Sequence, residues 1–126
     1  MAVADASYLI GLQRHGAAAQ RLQRRLEESG TPLRIPTMAW LELAWGLSPA
    51  RRGDALAAYS ATCSFLAFDM EIAVRAARVQ DDAVSVGRRL DWPDLVVAAT
   101  AASVGEPVVT LDGDFEGIPG LEVLRP

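Results

Sequence analysis

One carboxylate, Glu42, stands alone in the segment PTMAWLELAWG, Pro36–Gly46, and no other charge occurs between Arg34 and Arg51. Trp40, Leu41, Leu43 and Trp45 crowd around it, and the proline–threonine pair predicts a helix start with Thr37 as the capping oxygen. Apolar residues cover too much of the helical wheel for a solvent-facing stripe, so the segment is expected to be buried on most sides. A charged carboxylate in that setting is costly without a cation beside it. All 12 basic residues are arginines, with no lysine in the chain, and none lies close to Glu42 along the helix. Either a distant arginine folds back onto Glu42, or a metal ion meets it, or the side chain reaches along its own methylenes to the edge of the apolar surface.

Around that helix, short apolar runs alternate with helical patterns. Ala2–Ala4 reads as a brief strand ended by Asp5, and Ala6–Gln13 as the helix that follows. Gly16–Ser29 is amphipathic through Ala18, Leu22 and Leu26, with Gly30 as its stop. Leu33–Ile35 is a strand, Ser48-Pro49 opens a helix running to Tyr59, and Ser64–Phe68 is a third strand. Asp69 is placed to cap a long helix from Met70 to about Val86. Asp91-Trp92-Pro93-Asp94 has the form of a capping box with Asp in the Glu position. The helix Leu95–Val104 that follows is small and apolar on all sides, hence central. Pro107–Leu111 and Leu121–Leu124 are the last strands, separated by a turn at Asp112–Phe115. The pattern predicts an α/β chain, a three-layer α/β/α sandwich with a mainly parallel central sheet, as one domain over residues 1–126.

The bulk numbers limit the function classes. A hydrophobic content of 51% means a folded chain with a core. No apolar run reaches the roughly 18 residues of a membrane span, and MAVADASYLIGL lacks a basic leader, so a cytoplasmic location is expected. Cys63 is alone, which excludes an intrachain disulfide and fits a small apolar packing role. With a net charge of −4 the overall field does not attract nucleic acid. Binding a phosphate backbone would need local arginines, bound cations or both. Arg21, Arg24, Arg25, Arg51, Arg52, Arg88 and Arg89 are the candidates, although exposed helical arginines more often serve solubility.

In parallel sheets the functional crevice lies beyond the carboxyl ends of the strands, where strand order reverses. Asp5 follows the first strand, Glu42 lies in the helix after the second, Asp94 starts the helix leading into the fourth, and Asp112 and Asp114 follow the fourth. If the first and fourth strands are neighbours, all five carboxylates face one pit. Singly, Asp5 and Asp94 also read as helix caps, and Asp112 and Asp114 as turn residues. Together they would repel one another unless cations neutralise them. An all-oxygen donor set selects a hard ion, Mg²⁺ or Mn²⁺, and such a site suits phosphodiester cleavage. Ser7 and Thr110, at the same strand ends, are placed to orient a carboxylate or a water. Asp54, Asp69, Asp81, Asp82 and Asp91 have no such placement, and His15 reads as a surface residue.

Four blocks in order carry a resemblance: Val-Ala-Asp5-Ala-Ser7-Tyr-Leu-Ile, the Leu-Glu42-Leu helix, Asp94-Leu-Val-Val-Ala-Ala-Thr-Ala, and Val-Val-Thr110-Leu-Asp112-Gly-Asp114-Phe. The chain resembles PIN domains, and more narrowly the VapC-type toxins of bacterial toxin–antitoxin pairs, from Asp5 nearly to its C-terminus. The resemblance implies an acidic quartet of Asp5, Glu42, Asp94 and Asp112 with Asp114 as a fifth member. It also implies a Mg²⁺- or Mn²⁺-dependent endoribonuclease acting on tRNA, rRNA or mRNA. Such proteins are usually homodimers held inactive by a VapB-like antitoxin whose C-terminal segment crosses the active-site groove. Ala6 departs from the family, where a polar residue is frequent, and leaves Ser7 as the hydroxyl at that strand end. The surface near Trp40 and Trp45 is either a dimer or antitoxin contact or part of the core.

Two other carboxylate-based activities fit less well. A receiver domain needs a lysine after its last core strand, and a haloacid-dehalogenase-type phosphatase needs Asp-x-Asp at the first strand, where this chain has Asp5-Ala6-Ser7. A degenerate pit serving only protein or RNA binding is the non-enzymatic alternative. The metal reading predicts that Asp5→Asn or Asp94→Asn abolishes cleavage while the metal-free protein keeps an equal or higher melting temperature.

Overall fold

A computed structural model describes residues 1–126. The elements are β1 (Ala2–Ala4), α1 (Ala6–Gln13), α2 (Ala17–Glu28), β2 (Leu33–Pro36), α3 (Thr37–Gly46), α4 (Pro49–Thr62), β3 (Ser64–Leu66), α5 (Met70–Ser85), α6 (Trp92–Val104), β4 (Val108–Val109) and β5 (Val123–Leu124). A single 3-10 turn, Gly113–Phe115, lies between the last two strands. The first strand matches its expected span and the second runs one residue further, to Pro36, while the last three are shorter than their apolar runs.

The five strands form one sheet in the order β3-β2-β1-β4-β5, all parallel. Val3 is in register with both Arg34 and Val108. Chain order therefore reverses at β1, which has β2 on one side and β4 on the other. Neighbouring strand residues point to opposite faces, and the core divides accordingly. Val3 and Val108 join the large apolar cluster with Ile72, Ala76 and Val97 of α5 and α6. Ala2 and Val109 join a smaller one with Tyr8, Leu22 and Leu26 of α1 and α2. Helices thus cover both faces and make the three layers. The helix α6 is buried from Leu95 through Ala101, so an all-apolar surface costs it nothing.

Three local expectations are corrected. Thr37 does not cap α3: it is the first helical residue, Pro36 holds the cap position, and no side chain accepts there. The helix is not buried on most sides, since Leu41 is 58% exposed and Trp45 is 82% exposed. Only Ala39, Leu43 and Ala44 are buried, and Trp40 is tucked edge-on against Phe65 with ring centroids 6.3 Å apart. The apolar excess of PTMAWLELAWG thus divides between a core face and an outward-facing pair, Leu41 and Trp45. The capping box before α6 does not form, because Asp91 makes no side-chain bond to the helix. That leaves Asp94 unencumbered in the first turn. Asp69 does cap α5, accepting from the Ile72 amide at 2.9 Å.

Candidate active site

Each acid reaches the carboxyl edge of the sheet by a different local device. Asp5 follows β1 directly, its amide donating to the Val109 carbonyl across the β1–β4 junction at 2.9 Å. It is only 3% exposed and is the N-cap of α1. Its Oδ2 accepts from the Ser7 hydroxyl at 2.7 Å and the Thr110 hydroxyl at 2.9 Å. Those hydroxyl oxygens in turn accept backbone N–H groups, Ser7 from Leu111 at 3.0 Å and Thr110 from Asp112 at 2.9 Å. The network stitches the ends of β1 and β4 together and sets where Asp5 and Asp112 lie. Both hydroxyls therefore hydrogen-bond the Asp5 carboxylate from the ends of two neighbouring strands.

Asp112 begins the 3-10 turn, and its Oδ1 accepts the Asp114 amide at 3.0 Å. That short loop presents two carboxylates to Asp94, in the first turn of α6. One oxygen from each of Asp94, Asp112 and Asp114 lies within 4.8 Å of the others. Asp5 and Glu42 stand outside this tight triad but within its field. Asp94 is pushed up to about 7, first by burial and then by the charges of Asp5, Asp112, Asp114 and Glu42. Glu42 is also raised, by burial and then by Asp5. Asp114 is raised mainly by the charge of Asp112 beside it. The fold thus brings all five acids into one electrostatic cluster.

Glu42 is half-buried on α3. No arginine folds back to it, and its Oε1 is buried with no hydrogen-bond donor. A buried polar oxygen without a partner is uncommon in a folded protein, and this one lies within the field of Asp5. The donor set, oxygen atoms of carboxylates only, fits a hard divalent cation.

The candidate RNA-facing arginines separate. Arg52 donates to the Ala44 carbonyl at 2.7 Å and Arg25 to the Arg125 carbonyl at 2.7 Å, so both are engaged in holding the fold. Arg88 donates to the carbonyls of Glu116 and, at 2.6 Å, Asp114. Arg21, Arg24, Arg51 and Arg89 are exposed. Nothing in the Arg88-Arg89 pair distinguishes its members in sequence, because the partners of Arg88 are backbone atoms far along the chain.

Comparison with known proteins adds the lineage. The PIN domain family pattern matches residues 2–121. The chain belongs to the PIN domain family. A PIN relative, Ribonuclease VapC5 of Mycobacterium tuberculosis, is 34% identical over 81% of this chain and 84% of its own length. The crystal structure of VapBC-5, a member of the VapBC toxin–antitoxin family from the same organism, superposes with a TM-score of 0.71 at 26% identity, covering 99% of this chain and 98% of that one. A toxin–antitoxin complex from Klebsiella pneumoniae gives a TM-score of 0.76 at 25% identity, covering 100% and 98% of the two chains. VapBC2 from Rickettsia felis, solved with a DNA fragment from its promoter, shares the fold with a TM-score of 0.79 at 15% identity, over 97% and 96% of the chains. The PIN fold explains why acids distant in sequence meet at the β1–β4 edge.

Proposed function

We propose that residues 1–126 form one PIN-like ribonuclease domain, a Mg²⁺- or Mn²⁺-dependent endoribonuclease toxin that cleaves tRNA, rRNA or mRNA and is neutralised by a VapB-like antitoxin. The observation that carries the reading is the donorless, buried Oε1 of Glu42 beside the Asp94–Asp112–Asp114 triad. Asp94, Asp112 and Asp114 would hold the ion, with Asp5 and Glu42 completing the charge around it. When bound, the ion supplies charge stabilisation at a scissile phosphate and acidifies a water, so no histidine base is needed. Ser7 and Thr110 keep Asp5 in one orientation. The exposed Arg21, Arg24, Arg51 and Arg89 are available to the RNA backbone.

The names of the relatives support the ribonuclease and antitoxin parts of this reading. Leu41 and Trp45 on α3 offer apolar surface to a partner, either the antitoxin or a second copy in a homodimer. No helix is long and apolar enough to cross a membrane. The test is cleavage of end-labelled RNA by the purified chain with Mg²⁺ or Mn²⁺, with excess EDTA, and in the Asp94→Asn variant. Metal-dependent fragments lost in both controls are expected. Equal cleavage in EDTA would sink the proposal, and metal binding without cleavage of any RNA class would favour a degenerate binding module. Sequencing the 5′ ends of fragments after induced expression would then name the substrate.

A further inference from the structure

We propose that Arg88 is a positioning residue, a clamp that holds the Gly113–Phe115 turn so that Asp112 and Asp114 stay against Asp94. The proposal rests on the metal-site reading above and deepens it. Two of the three triad acids sit on a short loop, with Gly113 and Asp114 exposed and no strand pairing across them. Like charges drawn within 4.8 Å push such a loop outward. Phe115 is fully buried and roots the turn in the core, and the Thr110 hydroxyl accepts the Asp112 amide, but the exposed Asp114 between them has fewer holds. The Asp114 amide bonds the Asp112 side chain and the Glu116 amide bonds the Gly113 carbonyl at 3.1 Å.

Arg88 supplies the opposing hold from outside. Its Nη2 donates to the Asp114 carbonyl and its Nη1 to the Glu116 carbonyl, so one guanidinium grips the turn at its middle residue and just past its end. A planar fork of donors does this where a lysine ammonium would reach one carbonyl only. Its positive charge also acts on Asp114 against the push from Asp112.

The clamp is itself anchored. The Arg88 amide donates to the Ala83 carbonyl at 2.8 Å, after Gly87 turns the chain with φ at +76°. Two residues on, Leu90 is held at both its backbone groups by the Gln80 side chain, at 2.8 and 3.0 Å. The loop carrying Arg88 is thus fastened to α5 on either side of it, and Arg88 is half-buried while Arg89 is exposed. A guanidinium on a fixed base thus braces the acidic turn that faces Asp94 at the start of α6.

The experiment compares the whole chain with Arg88→Ala, Arg88→Lys and Arg78→Ala, the last removing an equal charge from the exposed face of α5. Mn²⁺ affinity is read by calorimetry, and amide hydrogen exchange at Asp114 and Glu116 is read without metal. Outer partners of ligands typically govern metal affinity by about 10- to 100-fold. Arg88→Ala is therefore expected to weaken Mn²⁺ binding about tenfold, with RNA cleavage recovering as Mn²⁺ is raised. Exchange at the two amides should quicken about fivefold or more, the equivalent of one net hydrogen bond. Arg88→Lys should fall between, and Arg78→Ala should match the parent chain. Unchanged Mn²⁺ affinity in Arg88→Ala, or an equal loss in Arg78→Ala, overturns the proposal. If the parent chain binds no Mn²⁺, the metal-site reading fails, and exchange alone then decides: quickened amides keep the clamp, unchanged ones end it.

Discussion

Replacing Asp94 by asparagine should make the metal-free protein more stable at alkaline pH while abolishing its activity. Asp94 is lifted from an ordinary 3.8 to about 7 by burial and four neighbouring carboxylates. A shift of that size corresponds to about 4 kcal/mol of penalty on the charged form before screening. Asp94 is only half-buried, so screening by solvent reduces this to about 2 kcal/mol. Asparagine also forgoes the attraction of a carboxylate to the α6 N-terminus, about 0.5–1 kcal/mol. The net gain is about 1 kcal/mol, or about 4 °C in melting temperature for a chain of this length. Its sign follows from linkage. Because the folded-state value is raised, the folded protein holds a proton that the unfolded chain has lost between about pH 4 and pH 7, and wild-type stability declines across that window. Calorimetric melting of both proteins in EDTA should show no gain for the variant near about pH 4 and the full gain above about pH 7. Equal melting at alkaline pH, or a gain that persists at acid pH, would refute the repulsion argument.

Other expectations concern the neighbours of Asp94. Glu42→Gln should leave metal-free stability unchanged or slightly higher, since Oε1 has no donor to lose. It should also blunt the stabilisation by Mg²⁺, which for an intact site is about 2.7 kcal/mol at a hundredfold excess over Kd. Thr110→Val should cost about 1–3 kcal/mol in urea unfolding, because the hydroxyl both donates to Asp5 and accepts the Asp112 amide in a fully buried position. For the same reason Asp5→Asn is not expected to match Asp94→Asn: its carboxylate is tied to two hydroxyls, so a lower melting temperature replaces the equal or higher one expected from repulsion alone. Trp45→Ala should change stability by less than about 0.5 kcal/mol, as the ring is exposed, yet weaken antitoxin or dimer association measured by calorimetry.

The alternation of short apolar runs with helical patterns was enough to determine a parallel α/β sheet, because local periodicity and the right-handed crossover leave few other arrangements. Asp69 as a cap, Gly30 as a helix stop, and the all-apolar α6 were legible for the same local reason. Position at a predicted strand end or helix start marked Asp5, Asp94 and Asp112 but was shared by Asp69 and Asp91, and only the side-by-side placement of β1 and β4 separates the sets in space. Tertiary structure decided the rest. The burial of α3 depended on which neighbours cover it, so a sequence rich in tryptophan and leucine turned out to present Leu41 and Trp45 to solvent. Whether Glu42 met an arginine or nothing was likewise a question of distance through space. Local patterning fixes which elements form, but electrostatic coupling among five acids and the reach of Arg88 to two distant carbonyls exist only once β1 and β4 lie side by side.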